Sequence, residues 1–182
     1  MALEIERKFL VRDIGFLHDA HGDKIVQGYV AKEPGAMSTR VRIRADQAFL
    51  TIKGPRLGIT RDEFEYRIPV ADALRMLSAH CGERIVRKTR YLVPFQSQLF
   101  EVDVFHGNHA GLVMAEIELP DEHTPIELPR WIGEEVTHDP RFGNFCLAQT
   151  QQIPENIRLH PWPGGVHEMA GVTADGASPC RL

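Results

Sequence analysis

The stretch Glu4-Ile5-Glu6-Arg7-Lys8-Phe9-Leu10-Val11 decides the fold, because its charges recur at every second position. Successive side chains of an extended strand point to opposite faces, so Glu4, Glu6 and Lys8 share one face while Ile5, Arg7 and Phe9 share the other. The charged side of one such strand is ordinarily the solvated face of a sandwich. The habit is repeated down the chain, however. Arg40, Arg42 and Arg44 interleave with Val41 and Ile43, and Lys53 shares its face with Thr51. Arg61, Glu63, Glu65 and Arg67 stand against Phe64, Tyr66 and Ile68; Lys88 aligns with Arg90 and Glu101 with Asp103. Glu116 and Glu118 close the series against Val113, Ala115 and Ile117.

Working outward, period-two alternation bounded by turn residues predicts strands over 3–11, 24–31, 39–45, 48–54, 59–68, 84–94, 98–106 and 112–119. Connections such as Ala45-Asp46-Gln47 and Gln96-Ser97 are short enough for hairpins, which makes the strands antiparallel. Pro69 opens one convincing helix, 70–80, with Val70, Ala73, Leu74 and Leu77 at helical spacing, expected to plug or cover one side. After Pro120 a Pro-punctuated loop leads to short helical segments near 131–136 and 142–152, read as a cap. The expected fold is therefore mainly β: a closed eight-stranded antiparallel barrel with a few peripheral helices. Residues 1–153 form the domain, and 154–182, rich in Gly, Pro and Ala and without periodicity, read as a flexible tail.

Composition narrows the class. The 182 residues carry a formal net charge of −4 with both signs interspersed, which does not describe a nucleic-acid surface. Cys81, Cys146 and Cys180 lack zinc-ligand spacing, and an odd count argues against a disulfide framework. With no apolar run of membrane-spanning length, the expectation is a cytoplasmic protein, monomeric or homodimeric, with no membrane partner.

The charged faces need a destination. They face water if the apolar faces pack together, and they converge on a hydrated lumen if the barrel is turned inside out. Rows of like charge favour the lumen: Arg40, Arg42 and Arg44 in line, and Glu4 with Glu6, suit a polyanion and the cations that accompany it.

In this order the motifs resemble the CYTH, or triphosphate tunnel metalloenzyme, family. The resemblance rests on Glu4-x-Glu6-x-Lys8 at the start of the chain, the later charged strands, the Gln27-Gly28-Tyr29 step and the cap segment from Trp131 to Asn144, and covers residues 2–150. It implies a tunnel that binds a small-molecule triphosphate with Mg²⁺ or Mn²⁺. Activities known in the family are inorganic, thiamine and RNA triphosphatase and class IV adenylate cyclase. One departure is the stretch Phe142-Gly143-Asn144-Phe145-Cys146-Leu147-Ala148-Gln149, which lacks the basic residue that some members carry on the helix closing the tunnel.

The chemistry follows from the charges. Lys8, Arg40, Arg42, Arg44, Lys53, Lys88 and Arg90 are assigned to the phosphates, the arginines as bidentate forks and the lysines as point charges. Carboxylates repel the same substrate unless a hard cation lies between, so Glu4, Glu6, Glu63, Glu65, Asp103, Glu116 and Glu118 are the candidate metal ligands. Glu4, Glu6 and Lys8 are expected to act in catalysis, with Tyr29 as an orienting or proton-transfer group. The leading reading is metal-dependent hydrolysis of inorganic triphosphate. Adenylate cyclisation, thiamine or nucleoside triphosphate hydrolysis, and a non-catalytic polyphosphate or nucleotide sensor are the alternatives. Three other features are expected to carry no chemistry: His106-Gly107-Asn108-His109 as an exposed loop, 54–58 as a turn, and Cys81 and Cys146 as structural thiols.

Overall fold

The computed structural model describes residues 3–32, 37–155 and 157. In chain order it contains β1 (Leu3–Val11), β2 (Gly22–Lys32), β3 (Ser38–Arg44), β4 (Gln47–Lys53), β5 (Thr60–Ile68), α1 (Val70–His80), β6 (Ile85–Phe95), β7 (Gln98–Phe105), β8 (Val113–Glu118), β9 (Ile132–Glu135) and α2 (Asn144–Thr150). The sheet runs β5-β4-β3-β2-β6-β7-β8-β1-β9, and β5 pairs back onto β1 through Thr60–Asp62, which closes an eight-stranded antiparallel barrel with one strand added outside. The two-residue turns Ala45-Asp46 and Gln96-Ser97 each begin with a positive φ, 50° and 54°, the geometry that matches the twist of a tight hairpin.

Two expectations are corrected. The segment 131–136 is not helical: Ile132 and Val136 have helical spacing, but Ile132–Glu135 pairs with β1 at Val11 and Phe9. Gly133 permits this approach, since a Cβ there would lie 2.8 Å from the Leu10 carbonyl oxygen. The segment 142–152 shrinks to a 3-10 turn at Pro140–Phe142 followed by α2. The expected tail, apart from residues 154, 155 and 157, lies outside the described residues.

The barrel is indeed apolar outside and charged inside. On one flank Phe9, Val11, Phe100, Val102, Val104, Ala115 and Ile117 are buried beneath Leu17, Ile126, Ile132 and Trp131, whose ring stacks on Phe16 at 4.4 Å and meets Phe100 edge-on. On the other, α1 lays Ala73 and Leu77 over Val41, Ala48 and Cys81, so it covers the wall and does not plug the lumen. Gly28 makes this close packing possible, because a Cβ there would sit 2.7 Å from the Cys81 sulfur. One end of the lumen is filled by Tyr29, Val86, Phe105 and Met114, against which α2 presses Phe145, Leu147 and Ala148.

Candidate active site

Register brings the inward residues together. Glu6 faces Glu118 and Lys8 faces Glu116 across β1 and β8, Glu101 faces Glu116 across β7 and β8, and Arg40 is flanked by Tyr29 and Thr51. The result is a cavity of about 840 Å³, a volume suited to a small ligand. It is lined by Glu4, Glu6, Lys8, Tyr29, Arg40, Arg42, Arg44, Lys53, Glu63, Glu65, Arg90, Glu116 and Glu118. Lys88 and Asp103 lie behind this lining. They are 1% exposed, and the Asp103 carboxylate is shared between the Lys88 ammonium and Arg90, whose Nε and Nη2 donate at 2.7 and 2.6 Å.

Most of the lumen charges neutralise one another. Lys8 Nζ lies 3.0 Å from Glu6 and bonds Glu116; Arg90 Nη2 donates to Glu116 at 2.8 Å. Lys53 Nζ sits between Glu4 at 2.7 Å and Glu63 at 2.8 Å, and Arg40 Nη2 reaches Thr51 at 3.1 Å and Glu65 at 3.3 Å. Burial works against the Glu4 carboxylate, yet Lys53 and Arg61 hold its pKa below the ordinary range. Burial likewise opposes the Lys8 ammonium, and Glu116 and Glu6 raise its pKa above the usual lysine value.

Two groups stand apart. Arg42 makes no salt bridge or side-chain hydrogen bond among the described residues. Burial, with Arg40 and Arg90 beside it, lowers its pKa to about 10. Glu118 makes no ion pair among the described residues either, and partial burial with Glu101, Glu4 and Glu6 around it raises its pKa. The lumen thus has spare positive charge in one place and spare negative charge in another, which is the complement of an anion carried with a cation.

Some lining residues escaped the sequence reading. The segment 54–58 is more than a turn: Gly54, Pro55, Arg56 and Gly58 line the cavity, and Arg56 bonds Glu6. Arg61 shares the parity of Glu63 and Glu65, a signal available in the sequence, and it bonds both Glu4 and Glu6. Glu101 is on the inward face with Asp103 and pairs with Arg90. From α2 come Asn144, Phe145, Cys146 and Gln149, so that helix brings no cation, and Cys146 is a half-buried thiol on the cavity wall. The exposed-loop expectation for 106–109 holds for His106, Gly107 and Asn108 and fails at His109. His109 is 1% exposed, and its Nε2 lies 2.9 Å from the Leu147 carbonyl oxygen, holding α2 in place.

Metal fit turns on the donor set. The acids are all oxygen donors facing one another, which suits a hard divalent cation. No three of them converge into a ready site among the described residues, because lysines and arginines hold them.

Known proteins resemble this arrangement. An inorganic triphosphatase of Acetivibrio thermocellus is 44% identical over 149 residues, covering 82% of this chain and 95% of that one. An inorganic triphosphatase of Nitrosomonas europaea is 37% identical over 148 residues, covering 80% and 96%. A crystal structure of an inorganic triphosphatase superposes with a TM-score of 0.60 at 34% identity, over 81% of this chain and 95% of that one. No helix among the described residues is long and apolar enough to cross a membrane. Residues 2–143 match the CYTH domain, and with these relatives the chain belongs to the CYTH domain family.

Proposed function

We propose that this protein is a metal-dependent inorganic triphosphatase whose lumen holds tripolyphosphate and hydrolyses a phosphoanhydride bond. The observation that carries the reading is the pairing of an uncompensated cation, Arg42 beside Arg40 and Arg90, with an uncompensated acid, Glu118 beside Glu101, Glu4 and Glu6. Arg42 gives the phosphate chain its first seat. Lys8, Arg40, Lys53 and Arg90 join by trading their carboxylate partners for phosphate oxygens, and Arg44, held 2.8 Å from Asp23, extends the same row. Lys88 adds its charge from behind the wall.

The acids so released, Glu4, Glu6, Glu63, Glu65 and Glu116, together with Glu118, would hold Mg²⁺ or Mn²⁺. Such an ion, when bound, neutralises phosphoryl oxygens and polarises the phosphorus for attack. The chain's own residues do the rest. Arginine and lysine side chains fix the phosphates in line and stabilise charge on the transferring group. Whichever of Glu63 and Glu118 the ion leaves free, its pKa raised first by burial and then by neighbouring acids, would take a proton from an attacking water. Tyr29, its pKa raised by burial, stays a phenol and orients by donating its O–H. One chain builds the whole lumen, consistent with a monomer or a homodimer of independent sites. The free thiols Cys81 and Cys146 are consistent with a reducing cytoplasm.

The test is incubation of purified protein with tripolyphosphate, ATP or thiamine triphosphate, each with Mg²⁺ or Mn²⁺. Phosphate release fastest from tripolyphosphate is expected. Cyclic AMP from ATP would replace the reading with cyclisation, and tight binding without turnover would replace it with a sensor.

A further inference from the structure

Gln27 is fully buried, at 0% exposure, and among the described residues neither its amide nitrogen nor its amide oxygen has a hydrogen-bond partner. A buried amide without partners is disfavoured and uncommon in folded proteins, so its retention calls for a reason. Its place in the barrel supplies one. Gln27 is on the inward face of β2 with Tyr29, and the register sets it directly opposite Arg42 on β3 and Val86 on β6. It therefore sits where the charged lumen meets the apolar end sealed by α2. Arg42 has the complementary defect, since its Nε is buried and also without a partner among the described residues. One unmet acceptor and one unmet donor belong to side chains directly opposed across two strands, within reach of a rotamer change.

We infer that Gln27 is a positioning residue for Arg42: when an anion enters the lumen, Arg42 turns so that its Nε–H donates to Gln27 Oε1, which aims the two terminal nitrogens of the guanidinium at one phosphate. The inference rests on the reading that the lumen binds a triphosphate chain. A guanidinium held at Nε presents Nη1 and Nη2 as a fixed fork, whereas an unheld one samples several orientations and loses part of the bidentate grip. Among the described residues both groups are unmet, and the bound anion brings them together.

The test is a double-mutant cycle on the full chain, with tripolyphosphate and Mg²⁺. Gln27→Met keeps the volume and removes both amide groups. It is expected to raise KM by about tenfold, the value of one charge-assisted hydrogen bond. In the Arg42→Lys background, which has no Nε donor, the same change is expected to leave KM unaltered. The melting temperature of Gln27→Met is expected to match or exceed that of the wild type, because two unmet polar groups are gone. An equal rise in KM in both backgrounds, or a lowered melting temperature with unchanged KM, would overturn the inference in favour of a packing role. A measurement on unmutated protein covers the case in which Gln27→Met fails to fold. Hydrogen exchange at Arg42 Nε–H, followed by NMR, is expected to slow when an imido-linked triphosphate that resists hydrolysis is added, and unchanged exchange on a saturated protein would refute the contact. Failure of the wild type to bind or cleave tripolyphosphate at all would instead remove the functional reading beneath it.

Discussion

Replacing Asp103 with asparagine removes one negative charge from the most deeply buried charged cluster of the barrel. The wild-type carboxylate is 1% exposed and serves two cations, Lys88 at 1% and Arg90 at 4%. Arg90 retains Glu116 at 2.8 Å, but Lys88 is left with the Asn144 side-chain oxygen at 3.3 Å. Breaking a buried pair from one side costs about 3–5 kcal/mol, because the remaining charge stays desolvated. With a urea dependence of about 2 kcal/mol per molar, the unfolding midpoint should fall by roughly 1.5–2.5 M. The pH dependence carries a second signature. Burial already brings the Lys88 ammonium down to about 8 in the wild type, with Asp103 pulling the other way. Without Asp103 that pKa drops further, so the folded variant releases the proton at a lower pH than the wild type while the unfolded chain keeps it. Stability rises with pH wherever the unfolded state binds more protons, so the gap to the wild type should narrow as pH climbs from 7 toward 8. Urea titrations across that range check both points. A variant within about 0.5 kcal/mol of the wild type, less than the scatter of ordinary surface changes, would show that Asp103 is not the counterion of a desolvated pair.

Three further outcomes are expected. Lys8→Ala should raise KM for tripolyphosphate by about tenfold or more, and Glu6→Ala should lower kcat and raise the metal concentration needed for half-maximal rate; steady-state kinetics with a Mg²⁺ titration separates the two. Burial lowers the His109 pKa below the ordinary histidine value, so its contribution to stability is present above that value and lost as pH falls through the folded one. Melting curves between pH 5 and 8 should show this loss, and His109→Gln, which keeps a donor for the Leu147 carbonyl, should flatten it. Gly28→Ala puts a methyl group 2.7 Å from Cys81 Sγ and 2.8 Å from Ile85 Cδ1, an overpacking expected to cost about 1–3 kcal/mol in urea titration.

The strand pattern was legible because inward and outward residues alternate with period two, and parity alone grouped Glu4, Glu6 and Lys8, or Arg40, Arg42 and Arg44. Parity does not say which face is inside. That answer comes from long-range cover: Phe16, Leu17 and Trp131 on one flank and α1 on the other bury the apolar faces, leaving the charged ones to the lumen. Where a local pattern and tertiary pairing disagreed, pairing prevailed, as at β9. Roles that depend on partners were not readable from position. Lys88 and Asp103 have the same parity as Arg90 and Glu101 yet sit behind the wall, and Arg56 looks like a turn residue until the fold brings Glu6 beside it. His109 looks like half of an exposed loop pair until α2 packs over it.

The central claim is that this lumen cleaves a phosphoanhydride bond of a bound triphosphate. A ³¹P NMR time course of tripolyphosphate with Mg²⁺ tests it most directly, run beside Arg42→Ala. The expected result is conversion to orthophosphate and pyrophosphate in equal amounts by the wild type and a markedly slower conversion by the variant. Unchanged tripolyphosphate signals with the wild type, or equal rates for both proteins, would contradict the account.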